Sequence, residues 1–173
     1  MHLLGISGSL RAASFNTQLV TAAVATFGAE TFTLADLNLP LYSGDLEENG
    51  IPTSVLDLAA QIAQADAVVI ATPEYNKALS GVLKNALDWV SRTPDKPWNN
   101  KPVAIMSATA GRTGGEMAVA SLRLCMAPFN ARLISAPNVL VAGCFNELKD
   151  GALVSEEYQN AMSGLMDALR AEV

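Results

Sequence analysis

Apolar residues fall into two rhythms along this chain, and the rhythms alternate. Continuous apolar runs at Leu3–Ile6, Ala67–Ala71 and Val103–Met106 have the length of strands and no polar alternation, which suits strands covered on both faces. Glu30–Leu34 reads as a further strand, and Arg132–Ser135 with Val139–Ala142 as a fifth strand broken in the middle. Between the runs lie stretches with helical spacing. The clearest is Leu79–Ser91, where Leu79, Val82, Leu83, Ala86, Leu87 and Val90 recur at i, i+3, i+4 and i+7. Ser14–Phe27, Ser54–Gln64, Glu116–Met126 and Ser155–Arg170 read as the other helices. Pro128 closes the fourth in chain order, and Ser155 is a candidate cap for the last, with Glu156 and Glu157 at its positive end.

This alternation predicts an α/β fold with a parallel sheet and helices on both faces. In such sheets ligands sit outside the carboxyl ends of the strands, at the switch point of the strand order. Neither an internal repeat nor a boundary interrupts the pattern, so one domain is expected over residues 1–173. The longest irregular stretch, Ala35–Pro52, reads either as a partial lid or as a solvated connector.

Three loops at strand ends carry candidate chemistry. The first, Gly5-Ile6-Ser7-Gly8-Ser9-Leu10-Arg11-Ala12-Ala13-Ser14-Phe15-Asn16, holds glycines, serines, an arginine and an asparagine, and no acid. A phosphate ester needs such parts: freed backbone N–H groups, hydroxyl and amide donors, a guanidinium fork and a helix N-terminus. An ordinary loop capped by Ser14 or Asn16 is the alternative. The second, Thr72–Gly81, offers the rigid backbone of Pro73 and the ring of Tyr75, a surface for a planar heteroaromatic ligand or simply a packed turn. The third, Ser107–Gly115, has three glycines that permit close backbone approach, or that serve only as a flexible helix entry. The GxxxxGK[ST] and GxGxxG fingerprints are both absent, and no cysteine lies in the first loop to act as a phosphatase nucleophile.

Composition narrows the partners. Half the residues are hydrophobic, and the net charge of −6 argues against nucleic acid or an acidic membrane surface. Cys125 and Cys144 lack metal-ligand spacing and His2 is the single histidine, so no metal site is expected and both thiols read as buried in a reducing compartment. The chain enters its first strand without a leader, and no apolar run approaches the roughly 18 residues of a membrane span. These features predict a soluble, cytoplasmic protein.

The first loop, the block Thr72-Pro73-Glu74-Tyr75-Asn76 with Gly81-Val82-Leu83-Lys84-Asn85-Ala86-Leu87-Asp88-Trp89, and Lys101-Pro102-Val103 running into Gly114-Gly115 together resemble the NADPH-dependent FMN reductase family of quinone, azo-dye and chromate reductases. The resemblance covers nearly the whole chain in order and spacing. It implies a flavodoxin-like three-layer sandwich with a five-stranded parallel sheet of order 2-1-3-4-5. It also implies non-covalent FMN, NADPH or NADH as hydride donor, a small-molecule electron acceptor, and a homodimer or homotetramer. Carried over by position, Ser9, Arg11, Ser14, Asn16 and Thr17 match the FMN-phosphate loop. Pro73, Glu74, Tyr75 and Asn76 match the segment along the ribityl chain and isoalloxazine, and Thr109, Gly111 and Arg112 the loop near the pyrimidine edge. Two positions depart from the family pattern: Ser80, where many members carry proline, and Lys77, a cation where a small or polar residue is common.

The reading is an FMN-dependent NAD(P)H oxidoreductase with a ping-pong cycle that ends on a quinone, azo compound, flavin or metal oxyanion. FMN does the chemistry, so no catalytic acid, base or nucleophile is assigned. The rivals are a flavodoxin-type electron carrier and a non-catalytic flavin-binding sensor; Arg11 and the modest acidity favour the enzyme. Backbone N–H groups from Thr109 to Arg112, or the Arg112 guanidinium, are expected to face the charge on the reduced ring, with a 2′-phosphate of NADPH as the other target for Arg112. Trp89, about 100° from the centre of its helix's apolar stripe, reads either as a residue at the core's edge or, as the resemblance suggests, as packed with Val90 across a two-fold interface.

Overall fold

Along the first strand, neighbouring residues part to opposite sides: Leu3 joins a core with Leu19, Val69 and Leu165, whereas Leu4 joins another with Ile62, Val68 and Leu122. That period of two is how one sheet serves two hydrophobic layers. The computed structural model describes Met1–Val173. Its elements run β1 (His2–Ser7), α1 (Phe15–Phe27), β2 (Thr31–Leu34), α2 (Gly44–Glu48), α3 (Thr53–Gln64), β3 (Ala67–Ala71), α4 (Gly81–Val90), β4 (Pro102–Ala108), α5 (Glu116–Met126), β5 (Arg132–Leu133), β6 (Val139–Val141), α6 (Cys144–Glu147), β7 (Leu148–Lys149), β8 (Ala152–Leu153) and α7 (Glu156–Arg170). The main sheet is parallel throughout, in the order β2-β1-β3-β4-β5. β5 pairs with the start of β4 and β6 with its end, so the broken fifth strand occupies one edge in two pieces.

Helices α1 and α7 cover one face, and α3, α4 and α5 the other. Every residue of β3 and β4 is buried, as continuous apolar runs require. Three features lie outside the sequence pattern: the short helices α2 and α6 and the antiparallel β7–β8 hairpin. Ser155 stands at the N-cap of α7, but its side chain makes no capping bond, contrary to expectation. Cys144 is buried as expected, whereas Cys125 is half-buried.

The Ala35–Pro52 stretch is a strap pinned across α4. The Pro40 carbonyl accepts from Trp89 Nε1 (2.8 Å) and Asn85 Nδ2 (3.0 Å), and the Tyr42 N–H donates to Asn85 Oδ1 (2.9 Å). Tyr42 packs edge-on against Trp89, ring centroids 5.1 Å apart. Trp89 is therefore fully enclosed by its own chain, and the expectation that it packs across a two-fold interface is wrong. An indole at the edge of a helix's apolar stripe needs cover and an acceptor for its N–H; the strap supplies both.

Candidate functional site

A cavity of about 590 Å³ opens beyond the carboxyl ends of β1, β3 and β4, where the strand order reverses. Ten of the sequence-predicted residues line it: Ser9, Arg11, Ser14, Asn16, Pro73, Glu74, Tyr75, Thr109, Gly111 and Arg112. Thr17 and Asn76 do not. Thr17 lies on the outer side of the first loop, where its hydroxyl donates to Ser7 Oγ (2.8 Å) and it borders a smaller pocket with Asp36. Asn76, with φ 51, sits in the tight turn between Tyr75 and Ala78. A second cavity of about 680 Å³, walled by Leu87, Trp98 and Phe129, lies near the amino end of β4 and contains none of the predicted residues.

The first loop is shaped by Ser14 and Gly8. Ser14 caps α1, its Oγ accepting from the N–H groups of Asn16 (3.2 Å) and Thr17 (3.4 Å), and Ser9 Oγ accepts from the Arg11 N–H (3.3 Å). A Cβ at Gly8 would stand 2.9 Å from Ser80 Oγ and 3.0 Å from Thr72 Oγ1, so any side chain there must displace the hydroxyl that caps α4. The N–H groups of Ser9, Leu10, Ala12 and Ala13 form no hydrogen bond within the chain, and the Arg11 guanidinium no ion pair. Asn16 has a different task. Its amide donates to the Ala108 carbonyl and accepts from the Ala108 N–H, both at 3.0 Å, stapling the start of α1 to the end of β4.

The second loop forms the opposite wall. Tyr75 and Ala78 exchange both backbone bonds at 3.1 Å across Asn76 and Lys77, which are both left-handed, a turn usually built with asparagine and glycine. Ser80 takes the place of the family's frequent proline by capping α4, its Oγ accepting from Leu83 N–H (3.2 Å). Tyr75 remains 60% exposed, and an aromatic face that accessible beside a cavity is a stacking surface.

In the third loop, Gly114 and Gly115 have φ of +62° and +89°, and a Cβ would collide with the Leu140 carbonyl or Ser107 Oγ. Thr109 N–H donates to the Val141 carbonyl (3.0 Å), which removes it from the donors expected to face a flavin. The N–H groups of Ala110, Gly111, Arg112 and Thr113 have no acceptor in the chain. Cys144 and Phe145, unmarked by any motif, complete the lining, with Phe145 edge-on to Phe15 at 5.1 Å. Burial pushes the Cys144 thiol up, so it stays protonated near neutrality and is no nucleophile.

Charge separates this cavity from the rest of the surface. Arg11, Lys77 and Arg112 line it against a single acid, Glu74, on a chain whose net charge is −6. Unpaired N–H groups on two loops, the amino end of α1 and three cations suit an elongated, phosphorylated, electron-rich ligand. FMN fits this donor set: its phosphate matches the first loop, its ring Tyr75, and its pyrimidine edge the third loop.

Comparison with known proteins shows the family and the fold. The family model described as NADPH-dependent FMN reductase matches residues 1–146. An NAD(P)H-dependent FMN reductase from Pseudomonas aeruginosa is 37% identical over 173 residues, covering 98% of this chain and 94% of that protein. A quinone reductase from Escherichia coli is 34% identical over 174 residues, covering 97% of this chain and 93% of its own length. Among solved structures, the flavoenzyme NAD(P)H:(acceptor) oxidoreductase FerB from Paracoccus denitrificans superposes with a TM-score of 0.85 at 28% identity, covering 99% of this chain and 98% of that one.

Proposed function

The chain belongs to the NADPH-dependent FMN reductase family, an oxidoreductase family using FMN and NAD(P)H, and from that premise we propose a ping-pong reductase of quinones and related acceptors. The observation that carries the reading is the pairing of two unbonded N–H arrays with three cations around one cavity. FMN bound there supplies hydride acceptance from NAD(P)H and electron delivery to an acceptor in separate half-reactions. The protein's part is placement and charge. The Arg11 guanidinium and the N–H groups of Ser9, Leu10, Ala12 and Ala13 bind the phosphate, with Ser14 shaping the turn. Pro73 and Tyr75 flank the ring, and the N–H groups of Ala110–Thr113 with Arg112 offset negative charge at its pyrimidine edge. Preorganised donors of this kind need no reorganisation as charge develops.

The cavity is open above Tyr75 and Phe145, whose rings are 60% and 63% exposed, so flat acceptors reach it without a lid. Azo compounds, free flavins and metal oxyanions share the need for an exposed reduced ring and belong to the same reading. A single flavin-binding unit over residues 1–173 is supported by two cores sharing one sheet. Assembly as a homodimer or homotetramer belongs to the same reading through the family, and a cytoplasmic setting is supported by two free thiols. No helix is long and apolar enough to cross a membrane.

Steady-state kinetics with NADPH and 1,4-benzoquinone test the cycle. Double-reciprocal plots at several quinone concentrations are expected to be parallel, because nucleotide leaves before quinone enters; intersecting lines overturn the ping-pong scheme.

A further inference from the structure

Glu74 is the sole acid in a cavity lined by three cations, yet it is not simply paired with one of them. Its Oε1 lies 3.9 Å from Lys77 Nζ, a loose contact at an exposed ammonium. Its Oε2 instead accepts from the Ala118 N–H at 3.1 Å, and the carboxylate is largely buried, with 13% of the side chain exposed. Ala118 is the third residue of α5, whose N-cap is Gly115. Glycine has no side chain to cap the helix, and no other residue fits at φ +89° against Ser107 Oγ. The helix thus begins on a residue with no side chain to serve its free N–H groups, and a carboxylate from another loop accepts from one of them, that of Ala118. A second tie runs in parallel: the Leu79 N–H donates to Ser121 Oγ of α5 at 2.7 Å.

We infer that Glu74 is a positioning residue that fixes the width of the flavin cavity by clamping the loop after β3 onto the amino end of α5. The inference rests on the reading of this cavity as the FMN site. The wall carrying Pro73 and Tyr75 and the wall carrying the N–H groups of Ala110–Thr113 come from different strands. The latter wall runs directly into α5, so a bond from Glu74 to Ala118 sets the distance between the two. It acts on the ring end of the site, remote from the phosphate loop, and through geometry, so any acceptor of the same reach serves.

Titration of the apoprotein with FMN and with riboflavin tests this. Glu74→Ala is expected to weaken both flavins alike, by about tenfold, whereas Glu74→Gln, whose carboxamide oxygen still accepts from Ala118, stays within about twofold of the native protein. Glu74→Asp keeps the charge but falls short of Ala118, and is expected to lose both flavins as Glu74→Ala does; it decides the question if the alanine variant fails to fold. Native-like affinity in Glu74→Ala or Glu74→Asp overturns the inference, and so does a loss in Glu74→Gln equal to that in Glu74→Ala, which would assign the effect to charge. A native protein that binds neither flavin overturns the FMN reading itself, an outcome distinct from these.

Discussion

At the residue scale, Arg11 and Asn16 stand in the same loop with opposite degrees of freedom. The Arg11 side chain is exposed and makes no bond within the chain, which leaves it free to meet the proposed phosphate. A charge-assisted hydrogen bond to phosphate contributes roughly 1.5–3 kcal/mol. Arg11→Ala is therefore expected to weaken FMN about ten- to hundredfold and riboflavin far less, the reverse of the uniform loss expected at Glu74. Equal losses for the two flavins in a fluorescence titration would remove Arg11 from the phosphate site. Ten of the lining residues were legible because the three loop blocks of the resembled family stand in this chain in order and could be carried over position by position. Glu74's tie to α5 was not, since its partner lies 44 positions away and is a backbone N–H that no motif marks. Thr109 N–H failed as a predicted donor for a similar reason: its acceptor, the Val141 carbonyl, belongs to a strand placed only by the folded edge.

At the scale of elements, periodicity located the long helices and buried strands to within a few residues because burial itself imposes those periods. The pieces it missed are short. α2 has five residues, and β7 and β8 two each, too few for a period to show. Trp89 exposed a different weakness: the helical wheel gave its angle but not the strap that covers it. The staple between α1 and β4 is the element-level feature with the sharpest consequence. Asn16→Ala leaves the N–H and carbonyl of Ala108 without their buried partners, a cost of about 1–3 kcal/mol. The variant is expected to lose unfolding free energy by that margin, seen as a lower urea midpoint, and its affinity for FMN to fall because α1 no longer holds its register against β4. An unchanged urea midpoint would show that the staple contributes nothing.

At the scale of the whole molecule, the acidic surface and the cationic cavity work together. A chain of net charge −6 gathers Arg11, Lys77 and Arg112 at one mouth, a local concentration of positive charge where three strand-end loops meet that favours the anionic ligands proposed here. The parallel order β2-β1-β3-β4-β5 puts those loops side by side, which is why a pattern read as three separate weak signals becomes one site when folded. On the proposed function, this cavity holds one FMN per chain in a form that NAD(P)H reduces. Anaerobic mixing of the FMN-loaded protein with one equivalent of NADPH or NADH measures it directly. Complete bleaching of the flavin absorbance, reversed on adding a quinone, is the predicted result. A flavin band that persists with both nucleotides would rule out a reductase and favour an electron carrier or a sensor.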